Sequence, residues 1–213
     1  MSQLYEQISQ AVQSGKVKDV KEFITQAIDA GLPAKDILEK GLLDGMNIIG
    51  EKFKKNEVYV PEVLIAARAM NAGTALIKPL LSDGDTTAKG KVAIGTVKGD
   101  LHDIGKNLVK MMMEGKGLEV IDCGVDVSAE KFLEVYKQEG VNIIACSALL
   151  TTTMNGIKDV VDLFEKEGLR DKVTIMCGGA PVTEAFCKNV GADIYTSDAA
   201  SAADAAVEAC MGA

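Results

Sequence analysis

Tryptophan is absent from this chain of 213 residues, histidine occurs once, and aromatic residues make up only 4 % of the whole. So few flat rings leave little on which bases or sugars could stack. Basic residues are the minority, 23 Lys and Arg against 31 Asp and Glu. A formal net charge of −8, with no basic patch interleaved with aromatics, excludes a nucleic-acid partner. The five cysteines, Cys123, Cys146, Cys177, Cys187 and Cys210, stand singly. An odd, scattered set suits reduced thiols better than a disulfide framework. No apolar run reaches the roughly 18 residues that a membrane span requires. Residues Met1 to Gln10 lack the basic start and apolar core of a signal peptide. A cytoplasmic protein without membrane contact is the expectation.

What the chain does contain is a change of period. Up to about residue 80 the apolar spacing is helical: Leu4, Ile8 and Val12; Val20, Phe23, Ile24, Ala27 and Ile28; Ile37, Leu38, Leu42, Met46, Ile49 and Phe53; Val63, Leu64, Ala67, Met70, Ile77 and Leu80. Gly15 and Gly31 fall where helix C-caps belong, and Pro33 and Pro61 near first-turn positions. Four amphipathic helices with short connections predict a small antiparallel bundle. A polar, glycine-bearing stretch from Ser82 to Gly90 reads as a linker. Beyond it, strand-like runs (Val92 to Val97, Leu118 to Asp122, Asn142 to Ser147, Val173 to Cys177, Asp193 to Thr196) alternate with helical stretches at about 104–114, 129–139, 154–167, 182–190 and 199–210. Five βα units predict an α/β fold with a doubly wound, five-stranded parallel sheet in the flavodoxin-like order 2-1-3-4-5, its ligand at the switch point between the first and third strands.

The single histidine lies at that edge, in Asp100-Leu101-His102-Asp103-Ile104-Gly105, directly after the first strand. A neutral imidazole suits a borderline transition metal. Its second nitrogen needs an acceptor to fix the tautomer, and Asp100 or Asp103 can serve. One histidine without a cysteine cluster cannot build a four-ligand zinc site, so a lone ligand suits a metal already held by a macrocycle. Gly105 removes a side chain where a bulky group must approach. The plain alternative is a surface loop in which His102 is a bystander and Asp103 caps the next helix.

Three more loops converge on the same edge: Ser147-Ala148-Leu149-Leu150-Thr151-Thr152-Thr153 after the third strand, Cys177-Gly178-Gly179-Ala180-Pro181 after the fourth, and Tyr195-Thr196-Ser197-Asp198-Ala199 after the fifth. Each alone has an ordinary explanation, helix capping for the hydroxyls and a tight turn for the glycines. Together they set small residues where something long must pass close to backbone.

This ordered set, Asp100/His102/Gly105, then Ser147/Leu149, then Gly178-Gly179, resembles the signature of the cobalamin-binding module of methionine synthase and of the corrinoid proteins in three-component methyltransferase systems of the methanol, methylamine and betaine type. The resemblance covers nearly the whole chain. It implies a helical cap domain over residues 1–88 and a corrinoid-binding Rossmann-like domain over 89–213. It implies one cobalamin or related corrinoid per chain, with His102 as the axial ligand to cobalt in place of the cofactor's own base. Asp100 and Thr153 are then the relay behind the ring; Thr153 stands where methionine synthase has serine. The nucleotide tail is implied to run past Asp103, Ile104, Gly105, Ser147, Leu149, Thr151, Gly178, Gly179, Tyr195, Asp198 and Ala199. Gly50 to Phe53 and Val58 to Val63 resemble the segment shielding the upper cobalt face, so that Phe53, Val60 and Val63 form a lid; as a second reading all three are bundle core. The absence of a catalytic barrel points to a free-standing methyl carrier. It is implied to accept a methyl group on cobalt(I) from a substrate-specific barrel methyltransferase and to deliver it to a second methyltransferase using tetrahydrofolate or a thiol such as coenzyme M. A reductive activase is a further implied partner, and residues Thr86 to Lys89 are the natural hinge. A corrinoid-based sensor module and a flavodoxin-like protein with another ligand are the competing readings.

Overall fold

The computed structural model describes residues 2–81 and 88–212. Most of the expected linker, and half of the four-residue hinge within it, lies outside the described residues. The chain forms two compact units, one comprising Met1–Ala88 with Gly115–Gly117, the other Lys89–Glu114 and Leu118–Ala213.

The first unit is helical: α1 (Ser2–Gln13), α2 (Val17–Asp29), α3 (Ala34–Ile37), α4 (Asp44–Lys54) and α5 (Val60–Ile77). Ile8, Val12, Val20, Ile24, Ala27, Ile37, Leu42, Met46 and Ile49 are buried, so the apolar stripes are the core. Gly15 and Gly31 end their helices with φ of 65° and 73°. The third stripe is not one regular helix. A π-helical stretch, Leu38–Leu43, joins α3 to α4, and no Pro or Gly pattern announces that extra residue per turn. One sequence expectation needs correcting. Val60–Leu80 is long and apolar enough, at 21 residues and mean hydropathy 1.2, to cross a membrane by length and composition. The run escapes notice because Glu62, Arg68 and Lys78 interrupt it. Its Val63, Ala66, Ala67, Ala69, Met70, Gly73 and Ile77 are buried on one face, while Leu64, Ile65 and Leu76 are exposed.

The second unit has five parallel strands, β1 (Lys91–Val97), β2 (Glu119–Val127), β3 (Ile143–Ser147), β4 (Thr174–Gly178) and β5 (Ile194–Tyr195), in the order β2-β1-β3-β4-β5. Connecting them are α6 (Ile104–Gly115), α7 (Ala129–Glu139), α8 (Asn155–Lys166) and α9 (Glu184–Val190), and α10 (Ala199–Met211) closes the chain. The interior strand β1 is buried at six consecutive positions, which is why it reads as an unbroken apolar run. Ala93, Ile144 and Ile175 join one core with α7 and α8, through Phe132, Ile157, Val160, Val161 and Phe164. Ile94, Ala145 and Met176, the next residues along, face a cavity bracketed by α6 and α10. Strand β2 runs five residues past the expected Asp122, because Asp122, Gly124 and Asp126 hide its extent from an apolar-run reading. Against β1 its register slips twice, between Ile94 and Gly95 and again between Gly95 and Val97. Strand β5 is shorter than expected, two residues only.

Candidate corrinoid site

The site is built at the carboxyl ends of β1, β3 and β4. Asp100 is fully buried although its carboxylate is charged. Its Oδ1 accepts from the backbone N–H of His102 at 3.1 Å and lies 2.7 Å from His102 Nδ1. Its Oδ2 accepts from the backbone N–H groups of Leu149 (2.8 Å) and Leu150 (3.2 Å) and from the Thr153 hydroxyl (2.8 Å). Burial alone pushes the carboxyl upward. The Leu149 N–H, the His102 ring, the Thr153 hydroxyl and the His102 N–H outweigh it and hold the acid well below the usual carboxylate range. An ionised Asp100 can only accept, so Nδ1 carries a proton, and in the neutral ring Nε2 is the nitrogen left with a lone pair. The imidazole itself is half-exposed, at 51 %. Its backbone is fixed as well, since the buried Thr96 hydroxyl donates to the His102 carbonyl at 2.8 Å.

His102 lines a cavity of about 580 Å³, within the usual range for a ligand pocket. Asp103, Ile104, Gly105, Ser147, Leu149, Gly178, Gly179, Tyr195, Asp198 and Ala199 line it too, so the structure gathers these expected residues around one space. Three others lie elsewhere. Asp100 and Thr153 sit behind the imidazole and not on the cavity wall, and Thr151 is exposed on the turn that carries Thr153. Asp198 N-caps α10, accepting from Ala200 and Ser201 N–H at 3.0 and 2.9 Å. The two adjacent glycines have different reasons. A Cβ on Gly179 would lie 1.9 Å from the Ala148 carbonyl oxygen, whereas one on Gly178 meets only the Thr196 carbonyl at 3.8 Å. In the helical unit Val63 is fully buried, and Phe53 and Val60 are half-buried.

Several wall residues were not among those expected. Ile94, Ala145 and Met176 form the floor, Leu108, Val109 and Met113 line α6, and Ala202 lines α10. Their strand positions, two residues before each edge residue, were the available signal. Lys106 gave none. It is 3 % exposed, with Nζ 2.6 Å from Asp122 Oδ1 and 2.7 Å from Asn107 Oδ1.

The cavity has room for a bulky group at the first turn of α6, whose Gly105 lines it. A Cβ added at Gly105 would meet nothing within 4 Å, so the first turn of α6 leaves open space beside His102. A family model described as a B12 binding domain matches residues 90–207, and a second B12 binding domain model matches residues 4–78. The dimethylamine corrinoid protein of Methanosarcina barkeri is 42 % identical over 97 % of this chain and 97 % of its own length. The chain belongs to the B12-binding corrinoid proteins of methyltransferase systems. Among solved structures, the methanol:cobalamin methyltransferase complex MtaBC from Methanosarcina barkeri contains a chain that superposes with a TM-score of 0.91 at 32 % identity, covering 99 % of this chain and 81 % of that one. A cobalamin-binding protein from Desulfitobacterium hafniense DCB-2 gives a TM-score of 0.77 at 29 % identity, covering 96 % and 98 %. This corrinoid protein therefore binds a cobalamin-type cofactor, and its fold is that of a helical domain followed by a Rossmann-like one.

Proposed function

We propose that this corrinoid methyl carrier takes a methyl group from a separate, substrate-specific barrel methyltransferase and presents it to a second methyltransferase, whose acceptor is tetrahydrofolate or a thiol. When bound, the corrinoid supplies cobalt, the centre that carries the methyl group. The chain's residues do the rest. His102 would offer Nε2 to the cobalt. Asp100 holds the proton on Nδ1 and sets the ring's basicity, and Thr153 holds Asp100. Gly105, Ser147, Leu149, Gly178, Gly179 and Ala199 leave a slot for the nucleotide tail, with Asp103, Ile104, Tyr195 and Asp198 on its walls. Residues 1–88 act as the cap domain and 89–213 as the corrinoid domain, one cofactor per chain. Phe53, Val60 and Val63 would form the apolar lid that keeps water from the bound cofactor and yields to a partner enzyme. A reductive activase would be a further partner, supplying the electron that returns oxidised cobalt to its reactive state.

The 2.7 Å contact between buried Asp100 and the chain's single imidazole carries this reading. Near full-length similarity to a dimethylamine corrinoid protein favours the carrier over a sensor. The test is His102→Ala, loaded with hydroxocobalamin and followed by absorbance and gel filtration. The unaltered protein is expected to retain the cofactor with an imidazole-ligated spectrum. The variant is expected to lose that spectrum and to bind about 10-fold or more weakly. An unchanged spectrum rules out His102 as the ligand.

A further inference from the structure

The loop carrying Asp100 is held from outside the relay by a residue with an unusual backbone. Asp126, near the end of β2, has φ of 53°, one of two non-glycine residues at positive φ among those described. A glycine would take that conformation freely. What glycine could not do is accept a hydrogen bond. Asp126 Oδ1 accepts from the Gly99 N–H at 2.7 Å, and the Asp126 N–H donates to the Asp100 carbonyl at 2.9 Å. With the Asp100 N–H on the Val97 carbonyl at 3.1 Å, both backbone groups of Asp100 are engaged.

The register of the sheet explains how Asp126 reaches this loop. Gly95 pairs with Gly124, but Val97 pairs with Val127, so β2 carries one more residue than β1 over that interval. Such an extra residue bends a strand and re-aims a side chain. Here it brings Asp126 to Gly99, which itself has φ of 82°. The clamp contributes nothing to the sheet ladder. It closes on the two residues that fix where the Asp100 carboxylate stands.

We propose that Asp126 is a positioning residue for the His102 ligand: by holding Gly99 and the Asp100 carbonyl it fixes the Asp100 carboxylate against Nδ1 and so locks the imidazole with Nε2 bare. The inference rests on the axial-ligand reading of His102. It assigns a role to a residue two strands' width from β3 and outside the cavity wall, one that no sequence motif singled out. Loss of the clamp frees the loop to shift, and Asp100 then no longer selects a single tautomer.

The chain's only histidine makes the test direct. Nitrogen-15 resonances of the ring in cofactor-free protein report which nitrogen carries the proton. The unaltered protein is expected to show Nδ1 protonated and Nε2 bare. Asp126→Gly keeps the backbone conformation and loses the acceptor, and is expected to show a mixture of tautomers and cobalamin affinity about 10-fold lower. Asp126→Asn keeps an acceptor oxygen and tolerates positive φ, and is expected to restore both. A single tautomer in Asp126→Gly overturns the proposal, as does failure of Asp126→Asn to restore it. If the glycine variant does not fold, amide exchange in the unaltered protein decides: a Gly99 N–H that exchanges as fast as free solvent-exposed amides overturns the clamp, and one protected like β1 supports it. Mixed tautomers in the unaltered protein sink the ligand reading as well. A locked ring in both proteins sinks only the role of Asp126.

Discussion

At the scale of single residues, Asp100 governs the site because every hydrogen-bonding group it owns is used. Its ordinary value is 3.8, and the folded protein holds it well below that. A depressed carboxyl stabilises the fold fully above its unfolded value, and that contribution drains away as pH falls toward the folded value. Urea unfolding of the unaltered protein and Asp100→Asn is therefore expected to show a difference of roughly 3 kcal/mol at pH 7, since an amide leaves donors from Leu149, Leu150 or Thr153 unmatched. The gap should narrow below about pH 4 and not above it. A gap that stays constant from pH 7 to pH 3 would mean the carboxylate is not the stabilising form. Asp100 and His102 were legible from the chain alone, because two polar residues spaced i and i+2 after an apolar run stand out. Thr96 and Lys106 were not. A buried hydroxyl within a strand looks like any β-branched residue, and Lys106 on α6 is paired with Asp122 on β2, far along the chain.

At the scale of elements, the first turn of α6 shows a conflict between folding and binding. Gly105 lies inside the helix, where glycine costs about 1 kcal/mol relative to alanine. A Cβ there would project into free space. Gly105→Leu is expected to raise the unfolding temperature of the cofactor-free protein slightly while abolishing retention of cobalamin on gel filtration. If the variant binds as well as the unaltered chain, the space beside His102 is not where the tail passes. The strands and helices around this turn were readable from periodicity, and the sheet order followed from crossover rules. What periodicity missed has common causes. The π-helical stretch between α3 and α4 adds a residue per turn without marking it in composition. The tail of β2 carries three polar or glycine residues, two of them bonded outside the strand, Asp122 to Lys106 and Asp126 to Gly99, while the Gly124 N–H donates back to Asp122.

At the scale of the whole molecule, the thiols are inert by placement. All five cysteines are free. Burial pushes each one upward, Cys123 to about 11 and Cys146 and Cys177 further still. A thiol raised this far holds almost no thiolate near neutrality and reacts slowly. Labelling with a thiol reagent at pH 8 is expected to be slow in the folded protein and to reach five groups per chain in denaturant. Rapid labelling of Cys146, Cys177 or Cys187, the three buried thiols, in the native state would show that the sheet core opens readily. The corrinoid family was legible because its motifs mark consecutive loops at one edge of one sheet. The clamp from β2 was not, because no spacing along the chain links residues 99 and 126.

The kinked end of β2 has a consequence beyond ligand geometry. This strand is the outermost on its side of the sheet, and the opposite margin ends in the two-residue β5. An outer strand that is straight and apolar invites a neighbouring molecule to pair with it. Here two register breaks and the charged, exposed residues Asp122 and Asp126 spoil the template. The same irregularity that reaches the metal loop thus leaves crowded copies of the chain no flat margin on which to assemble into fibrils.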